Sequence, residues 1–336
     1  MEASATTVVG GGRSALERSS LTRLPDRLLR WGLSGLAALI LILIAYFFVR
    51  LIGQSGSVFS HYGLSFVFGN DWDTNRNIYH GFSLLFGTLL TSTIALVIGV
   101  PVAVSTALFI NELCPRRLRT PLSVVVDLLA AVPSVVYGLW GIYVLAPKLL
   151  PAEKWFASTF SFIPFVGGGT PTLYNYFLAG LILAIMILPI VSAISREVIA
   201  TVPRENKEAA LALGSTRWEM IRMAVLPYAR PGIAGGAMLG LGRALGETIA
   251  VVLLIGATPV VGSHLFNQGD TFAAVIANEF GEAQGIHVSA LFAAGLVLFV
   301  LTLVVNLVAR WFVSRGSRGA RGTGATGMTI ASGASE

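Results

Sequence analysis

The chain has 336 residues, of which 54% are hydrophobic and 12% are charged. That charged share is about half of the roughly 25% found in an average soluble domain, which argues against a water-soluble enzyme. The single cysteine excludes an internal disulfide, and the four histidines lack the spacing of a metal site. A mean hydropathy of +0.76 indicates instead that lipid solvates much of the surface.

Six stretches are long and apolar enough to cross a bilayer, which takes about 20 residues as a helix. In chain order they are Trp31–Val49, Gly81–Asn111, Leu122–Pro147, Tyr176–Ser195, Gly232–Thr258 and Val288–Ala309. We therefore predict an all-α polytopic membrane protein whose transmembrane domain covers residues 31–313. The polar segments 1–30 and 314–336 are predicted to be flexible cytoplasmic extensions.

The basic residues are distributed unequally between the two sides of the membrane. An even number of spans places both termini on one side, together with the second and fourth connections, and most of the 23 Lys and Arg residues fall there. The opposite connections hold only Arg50, Arg76, Lys148 and Lys154. Because cytoplasmic loops carry the excess of Lys and Arg, we predict that both termini are cytoplasmic.

Three charged residues interrupt the predicted spans, namely Asp127, Arg243 and Glu247. A charge at the bilayer centre costs about 2.5 to 3.5 kcal/mol, so each needs a partner or a watery lining. Arg243 and Glu247 are four residues apart, which predicts an ion pair on one helical face. Either the pair is permanent and structural, or the guanidinium exchanges its carboxylate for a passing anion. Asp127 is predicted to have a gating or structural role.

Glycines in the fifth span predict close helix packing. Gly232, Gly236 and Gly240 repeat every fourth residue, and Gly242 with Gly246 forms a second such pair. We expect the backbone to press against neighbouring helices on two faces.

The connection between the fourth and fifth spans is far longer than a turn requires. Pro203 suits a helix start, Gly214 a left-handed helix end, and Thr216 with Glu219 a capping box, while Pro227 is expected to stop the second helix. This helix-turn-helix could lie on the membrane surface or bind DNA, but its nearly balanced charge argues against nucleic acid. Small alanines facing outward favour a protein partner.

The same connection resembles the EAA loop of permease subunits from bacterial ATP-binding-cassette importers. The resemblance implies a type I, MetI-like permease fold with the loop at about 198–230, and it departs from the family only at Ala224. The residues it assigns to contact with a cytoplasmic ATPase are Glu208, Ala209, Ala210, Gly214, Leu226 and Pro227. No phosphate-binding loop with its lysine occurs in the chain, so ATP and Mg would be bound by the partner ATPase and no cofactor by this chain.

A second resemblance narrows the family. The string from Gly240 to Thr248 is similar to the fifth-span signature of phosphate-specific importer permeases, and Leu128–Gly141 is similar to their third-span signature. The long first outer loop looks more like the PstC type of subunit than the PstA type. The resemblance implies a substrate path at Arg243, Glu247 and Thr248. It also implies a second permease subunit PstA, an ATPase dimer PstB and the phosphate-binding protein PstS as partners.

The resemblance thus implies a permease of the bacterial cytoplasmic (inner) membrane that moves inorganic phosphate inward by alternating access. No Ser-His-Asp or Cys-His arrangement is indicated, so no catalytic residue and no metal ligand is predicted. The alternatives are a molybdate or sulfate permease, a proton-coupled secondary phosphate carrier, and a non-transporting assembly or signalling subunit.

Overall fold

The computed structural model describes residues 23–163, 165–167, 170–262 and 264–321, with side chains described from Leu28 to Trp311. Most of the predicted N-terminal extension and residues 322–336 of the predicted tail lie outside the described residues. The described residues fall into two units, 23–51 and 52–321. The boundary falls inside the first helix, and the last helix ends at Arg321, within the segment predicted as a tail.

The regular secondary structure of the described chain is helical apart from one short β-hairpin. The helices are α1 (Arg23–Tyr62), α2 (Ser65–Phe68), α3 (Phe82–Leu108), α4 (Arg116–Ala130), α5 (Ser134–Trp140), α6 (Ala146–Thr159), α7 (Tyr176–Ala200), α8 (Arg204–Ala212), α9 (Arg217–Met220), α10 (Leu226–Leu245), α11 (Ile249–Ile255), α12 (Phe272–Glu279) and α13 (Ile286–Arg321). The strands are β1 (Trp72–Asp73) and β2 (Ile78–Tyr79), which pair antiparallel.

Five helical segments in the described residues are long and apolar enough to cross a membrane, and a bent pair of helices supplies a sixth. The five are Leu28–Tyr62, Phe82–Leu113, Ser134–Thr159, Tyr176–Ala200 and Ile286–Trp311, and the bent pair is Arg217–Leu245 with Ile249–Ile255. The predicted all-α fold with six spans is confirmed.

The third span lies further along the chain than the hydropathy pattern predicts. Helix α4 ends at Ala130, and the span begins only at Ser134, so the predicted stretch Leu122–Pro147 contains a break. The break has a local cause, because Pro133 disfavours helical geometry at the preceding residue. As a result Asp127 lies outside the span, whereas Glu153 lies within it and is buried.

Three π-helical turns in the described residues are each followed two residues later by a proline. The turns are Phe109–Leu113, Gly141–Leu145 and Ile221–Val225, and the prolines are Pro115, Pro147 and Pro227. A proline lacks an N–H and its ring crowds the carbonyl four residues back, and a π-turn shifts the hydrogen-bond register by one residue. The prediction that Pro227 stops the helix is therefore wrong, since the helix runs on from Arg217 to Leu245.

Helix α7 forms the centre of the second unit and is buried along most of its length. Helix α10 packs closely on it because glycines remove side chains from the contact. A β-carbon on Gly236 would lie 3.2 Å from Ile194, and one on Gly240 would lie 2.9 Å from Cγ2 of Val191. The contact predicted from the first glycine repeat is thus present. Gly242 of the second repeat meets no described atom within 4 Å, so that face has no partner within the described chain.

Substitution of Gly240 by leucine is expected to destabilise the protein by about 1 to 3 kcal/mol, because the side chain would overpack the contact with Val191. Thermal unfolding of the detergent-solubilised chain measures this effect. The matched control is Gly242→Leu, two residues away in open space, which should leave the midpoint nearly unchanged. Equal losses in the two variants would contradict the close contact.

The loop between the first two spans is fixed to α12 and α13 through one carboxylate. The Trp72 indole N–H donates to Oε2 of Glu279 at 3.0 Å, and Nε2 of His287 lies 2.7 Å from the same oxygen. The Tyr79 ring, opposite Trp72 in the hairpin, stacks on the His287 imidazole with centroids 5.2 Å apart. Burial raises the pKa of Tyr79, and the nearby Glu279 charge raises it further. These contacts hold the hairpin against the start of the last span.

Asp270 is a buried carboxyl in the loop before α12. Its Oδ1 accepts a hydrogen bond from the Thr271 N–H at 2.8 Å, yet burial raises its pKa from 3.8 to about 7. The folded state therefore binds this proton more tightly than the unfolded state does. Stability contributed by the protonated form is lost as the pH rises through the window between these two values.

The variant Asp270→Asn should keep the hydrogen-bond acceptor while removing this titration. We expect its thermal midpoint to exceed that of the unsubstituted protein at neutral pH and to match it near pH 4, as followed by thermal unfolding across that range. Asp71→Asn, at an exposed position, serves as the control. A variant whose pH dependence parallels that of the unsubstituted protein would contradict the assignment.

Candidate substrate path and coupling surface

The fifth span is broken between Leu245 and Ile249. Helix α10 ends at Leu245, α11 begins at Ile249, and the two axes differ by 65°. Gly246 and Thr248 lie in the break, where the Thr248 hydroxyl donates to the Gly246 carbonyl at 3.3 Å. The predicted continuous span Gly232–Thr258 is therefore corrected to two helices that meet at a sharp bend.

Arg243 lies before this bend, and Glu247 lies within it. Arg243 occupies the last turn of α10 with its side chain exposed, and Glu247 follows the end of the helix and is half-buried. The bend removes the helical register that would place them on one face. Ion pairs in the described part of the chain form at other residues, so the predicted pair is absent from it. The guanidinium of Arg243 is left without a carboxylate partner there.

A second broken helix lies beside the bend. A β-carbon on Gly138 of α5 would lie 2.7 Å from Cδ1 of Leu253 in α11, so the two short helices pack closely. Tyr137 donates its hydroxyl proton to the Leu129 carbonyl at 2.8 Å across the break after α4. Tyr137 was not singled out from the sequence, although it lies within the third-span string.

Asp127 forms an ion pair with Arg196 of α7. The carboxylate side chain is about half exposed, whereas the guanidinium side chain is mostly buried. The pair ties the amphipathic helix α4, which buries none of its own side chains, to the central helix α7. This contact supports the structural alternative for Asp127.

The helix-turn-helix between the fourth and fifth spans forms as predicted. Helix α8 begins after Pro203, and Gly214 follows its end with φ of +84°, a left-handed conformation that glycine adopts without strain. The Thr216 hydroxyl then accepts the Glu219 N–H at 3.3 Å, and the Glu219 carboxylate accepts the Thr216 N–H at 2.8 Å. This reciprocal capping box starts the second helix immediately.

The helical hairpin formed by α8 and α9 is anchored on one side and open on the other. Lys207 of α8 pairs with Glu112 at 2.6 Å, and Leu226 packs at the edge of a buried cluster that includes Ile199 and Ile221. The remaining coupling residues proposed from the resemblance face outward to different degrees. Glu208, Ala209, Gly214 and Pro227 are exposed, and Ala210 is half-buried.

Large apolar side chains are also exposed on this hairpin. Leu213 is 90% exposed, and Trp218, Met223 and Tyr228 are each at least half exposed. They lie beside or line an open groove of about 800 Å³ that also includes Ala209, Ala210 and Pro227. The sequence alone did not single them out, because an apolar residue in a helix predicts burial rather than exposure. Such a surface is typical of a protein contact.

No group of three or more His, Cys, Asp or Glu residues in the described part of the chain is placed to hold a metal ion. Three features need a functional explanation, namely the bent fifth span, the adjoining third span and the exposed helical hairpin.

A family model supplies that explanation. The model for the inner membrane components of binding-protein-dependent transport systems matches residues 99–318. The chain belongs to this family. It is a multi-pass inner-membrane permease component, a transport subunit and not an enzyme.

Relatives with assigned names match over most of the permease. A protein of Mesorhizobium japonicum named phosphate transport system permease protein PstC is 42% identical over 83% of this chain and 87% of its own length. A protein of the same name from Pasteurella multocida is 41% identical over 83% of this chain and 88% of its own. One from Mycobacterium leprae is 46% identical over 71% and 77%, respectively. The resemblance inferred from the span strings is confirmed.

Solved structures share the fold at low sequence identity. A crystal structure of a bacterial ABC transporter involved in the import of alginate aligns with a TM-score of 0.54 and 23% identity, covering 87% of this chain and 99% of that chain. The same kind of transporter in complex with a pentasaccharide-bound periplasmic protein aligns with a TM-score of 0.56 and 21% identity, covering 87% and 98%. These similarities concern the fold of ABC permeases.

Proposed function

We propose that the permease carries inorganic phosphate into the cell as one membrane subunit of an ATP-driven importer. The observation that carries this proposal is the 42% identity, over 83% of the chain, to a protein named as a phosphate transport permease. The string from Gly240 to Thr248, which surrounds the bend in the fifth span, supports it.

The substrate path is proposed to run past the bend, where Arg243, Glu247 and Thr248 lie. Transporters commonly bind their solutes at interrupted helices, because the break frees polar groups that a continuous helix would hide. The exposed guanidinium of Arg243 has donors spaced for phosphate oxygens. Because sulfate carries similar oxygens, Arg243 would favour anions without distinguishing phosphate from sulfate. Most of the selectivity would lie in the binding protein.

The energy of ATP hydrolysis is proposed to reach the permease through the helical hairpin of α8 and α9. Its exposed face presents Glu208, Ala209 and Gly214, and the open groove beside them is lined by apolar and small residues that suit a protein surface. ATP and Mg would be held by that partner, since this sequence contains no phosphate-binding loop of its own.

The partners proposed for the complete importer are a second permease subunit PstA, a dimer of the ATPase PstB and the binding protein PstS. The distribution of Lys and Arg supports an orientation with both termini and the hairpin in the cytoplasm. The Trp72 hairpin and the loop containing Asp270 would then face outward, toward the binding protein.

Phosphate uptake by reconstituted proteoliposomes tests the proposal. The importer should take up radiolabelled phosphate only when ATP is present on the side of the membrane that carries the ATPase and the binding protein is present on the opposite side. Uptake that follows a proton gradient without ATP would favour a secondary carrier instead. Equal competition by sulfate or molybdate would favour a permease for another oxyanion.

A further inference from the structure

A basic cavity of about 450 Å³ lies where the second span ends. It is bounded by the π-turn that ends at Leu113, by the first turns of α4, and by the hairpin helices α8 and α9. The basic residues that line it are Arg116, Arg119, Lys207 and Arg217, and the acidic residue is Glu112. Nothing in the proposed transport path uses this cavity.

The positive charge of the basic cavity is not balanced within the described chain. Glu112 is already paired with Lys207 at 2.6 Å, which removes the one carboxylate from the balance. Arg119 donates its Nε–H to the Cys114 carbonyl at 3.1 Å, a contact that orients the guanidinium without neutralising it. Arg116 and Arg217 form none of the ion pairs found among the described residues. Three guanidinium groups that line one cavity repel one another, and an anion between them would relieve that repulsion.

The remaining lining of the basic cavity is apolar. Leu113 and Leu211 contribute half-exposed side chains, and Met220 closes the lining. The adjoining helix α4 exposes further apolar side chains, including Leu118 and Val124, along a length that begins at the cavity. A free inorganic anion would leave this apolar surface unused, whereas a phospholipid would cover it with acyl chains. The end of a membrane span is also the depth at which lipid phosphates lie.

We propose that the basic cavity binds the phosphate group of an anionic phospholipid between Arg116, Arg119 and Arg217. Free phosphate has the same charge and oxygen chemistry, and the experiment separates the two sources. The bound phosphate bridges the start of α4 to α9 and so fixes the coupling hairpin to the end of the second span. This site does not depend on the identity of the transported solute.

The experiment uses the full-length chain, purified in detergent with the subunits that it retains and then stripped of lipid. Phosphatidylglycerol, phosphatidylcholine and inorganic phosphate are titrated separately, and binding is followed by thermal shift and by native mass spectrometry. The variants are Arg116→Gln and Arg217→Gln. The matched control is Arg117→Gln, on the same helix but outside the lining.

Phosphatidylglycerol should stabilise the unsubstituted protein, and phosphatidylcholine should not. The half-saturating concentration of phosphatidylglycerol should rise roughly fivefold in each lining variant and stay unchanged in the control. The same pattern with inorganic phosphate alone would support the site and identify free phosphate as its source. Equal effects of the two lipids, or equal effects of all three substitutions, would overturn the proposal. Loss of a retained ATPase with unchanged binding of both anions would also overturn it, because the cavity would then belong to a protein contact.

Discussion

Replacement of Arg243 by glutamine should reduce ATP-driven phosphate uptake by about 10- to 100-fold. A hydrogen bond to a charged group contributes about 1.5 to 3 kcal/mol, and the substitution removes a charge-assisted contact with the anion as it passes the bend. The loss should appear in uptake by proteoliposomes that contain the assembled importer. ATP hydrolysis in the same vesicles should persist, because the hairpin is unchanged.

The matched control for this prediction is Arg230→Gln. Arg230 is an exposed residue near the other end of the same helix, so the chemical change and the loss of charge are identical. Uptake by this variant should stay close to that of the unsubstituted importer. If the two variants transport phosphate equally well, Arg243 is not part of the substrate path.

Substitution of Gly214 by valine should detach the ATPase and lower phosphate uptake by about tenfold or more. A β-branched residue held at a φ of +84° costs about 1 to 3 kcal/mol, so the turn between α8 and α9 would adopt another geometry. The hairpin would then present Glu208 and Ala209 in the wrong orientation. The amount of ATPase that co-purifies with the permease measures this loss directly.

Gly281→Val provides the comparison, since Gly281 is exposed, has open space around it and does not have a positive φ. Membrane insertion should survive in both variants, because neither position lies among the apolar residues that define the spans. Full ATPase retention and full uptake by Gly214→Val would show that the hairpin does not couple the two proteins.

Local signals in the sequence were sufficient for the hairpin. A helix start after Pro203, a left-handed Gly214 and the Thr216–Glu219 capping box each depend on residues only a few positions apart. The number of spans was equally accessible, because bilayer thickness sets the length of an apolar helix. The glycine repeat from Gly232 to Gly240 also identified a true contact, since its spacing alone defines one face of a helix.

The helix breaks could not be placed in this way. The apolar stretches continue through Pro133 and Gly246, so hydropathy carries no sign of the turns that divide the third and fifth spans. The predicted pairing of Arg243 with Glu247 failed for this reason, because helical spacing is meaningful only within one helix. At Pro227 the sequence predicts a helix stop that the structure does not have, since the π-turn before the proline lets the helix continue.

Buried acids were missed because burial is a property of the tertiary structure. Glu153 is accessible to only 4% and accepts a hydrogen bond from the Asn175 side chain at 3.0 Å, a contact between α6 and the start of α7. Asp270 is similarly enclosed in the loop before α12. In the sequence both residues belong to connections that hydropathy places outside the membrane, where a charged residue needs no explanation.

The central claim is that position 243 faces a solute path that opens alternately to the two sides of the membrane. The most direct measurement is the labelling rate of Arg243→Cys, in a Cys114→Ser background, by a membrane-impermeant charged thiol reagent. The account predicts that the reagent reacts from one aqueous side in the nucleotide-free importer, and that the rate falls when vanadate traps the ATPase closed. No reaction with the charged reagent in either state, combined with reaction with a lipid-soluble maleimide, would place the residue in lipid and contradict the account.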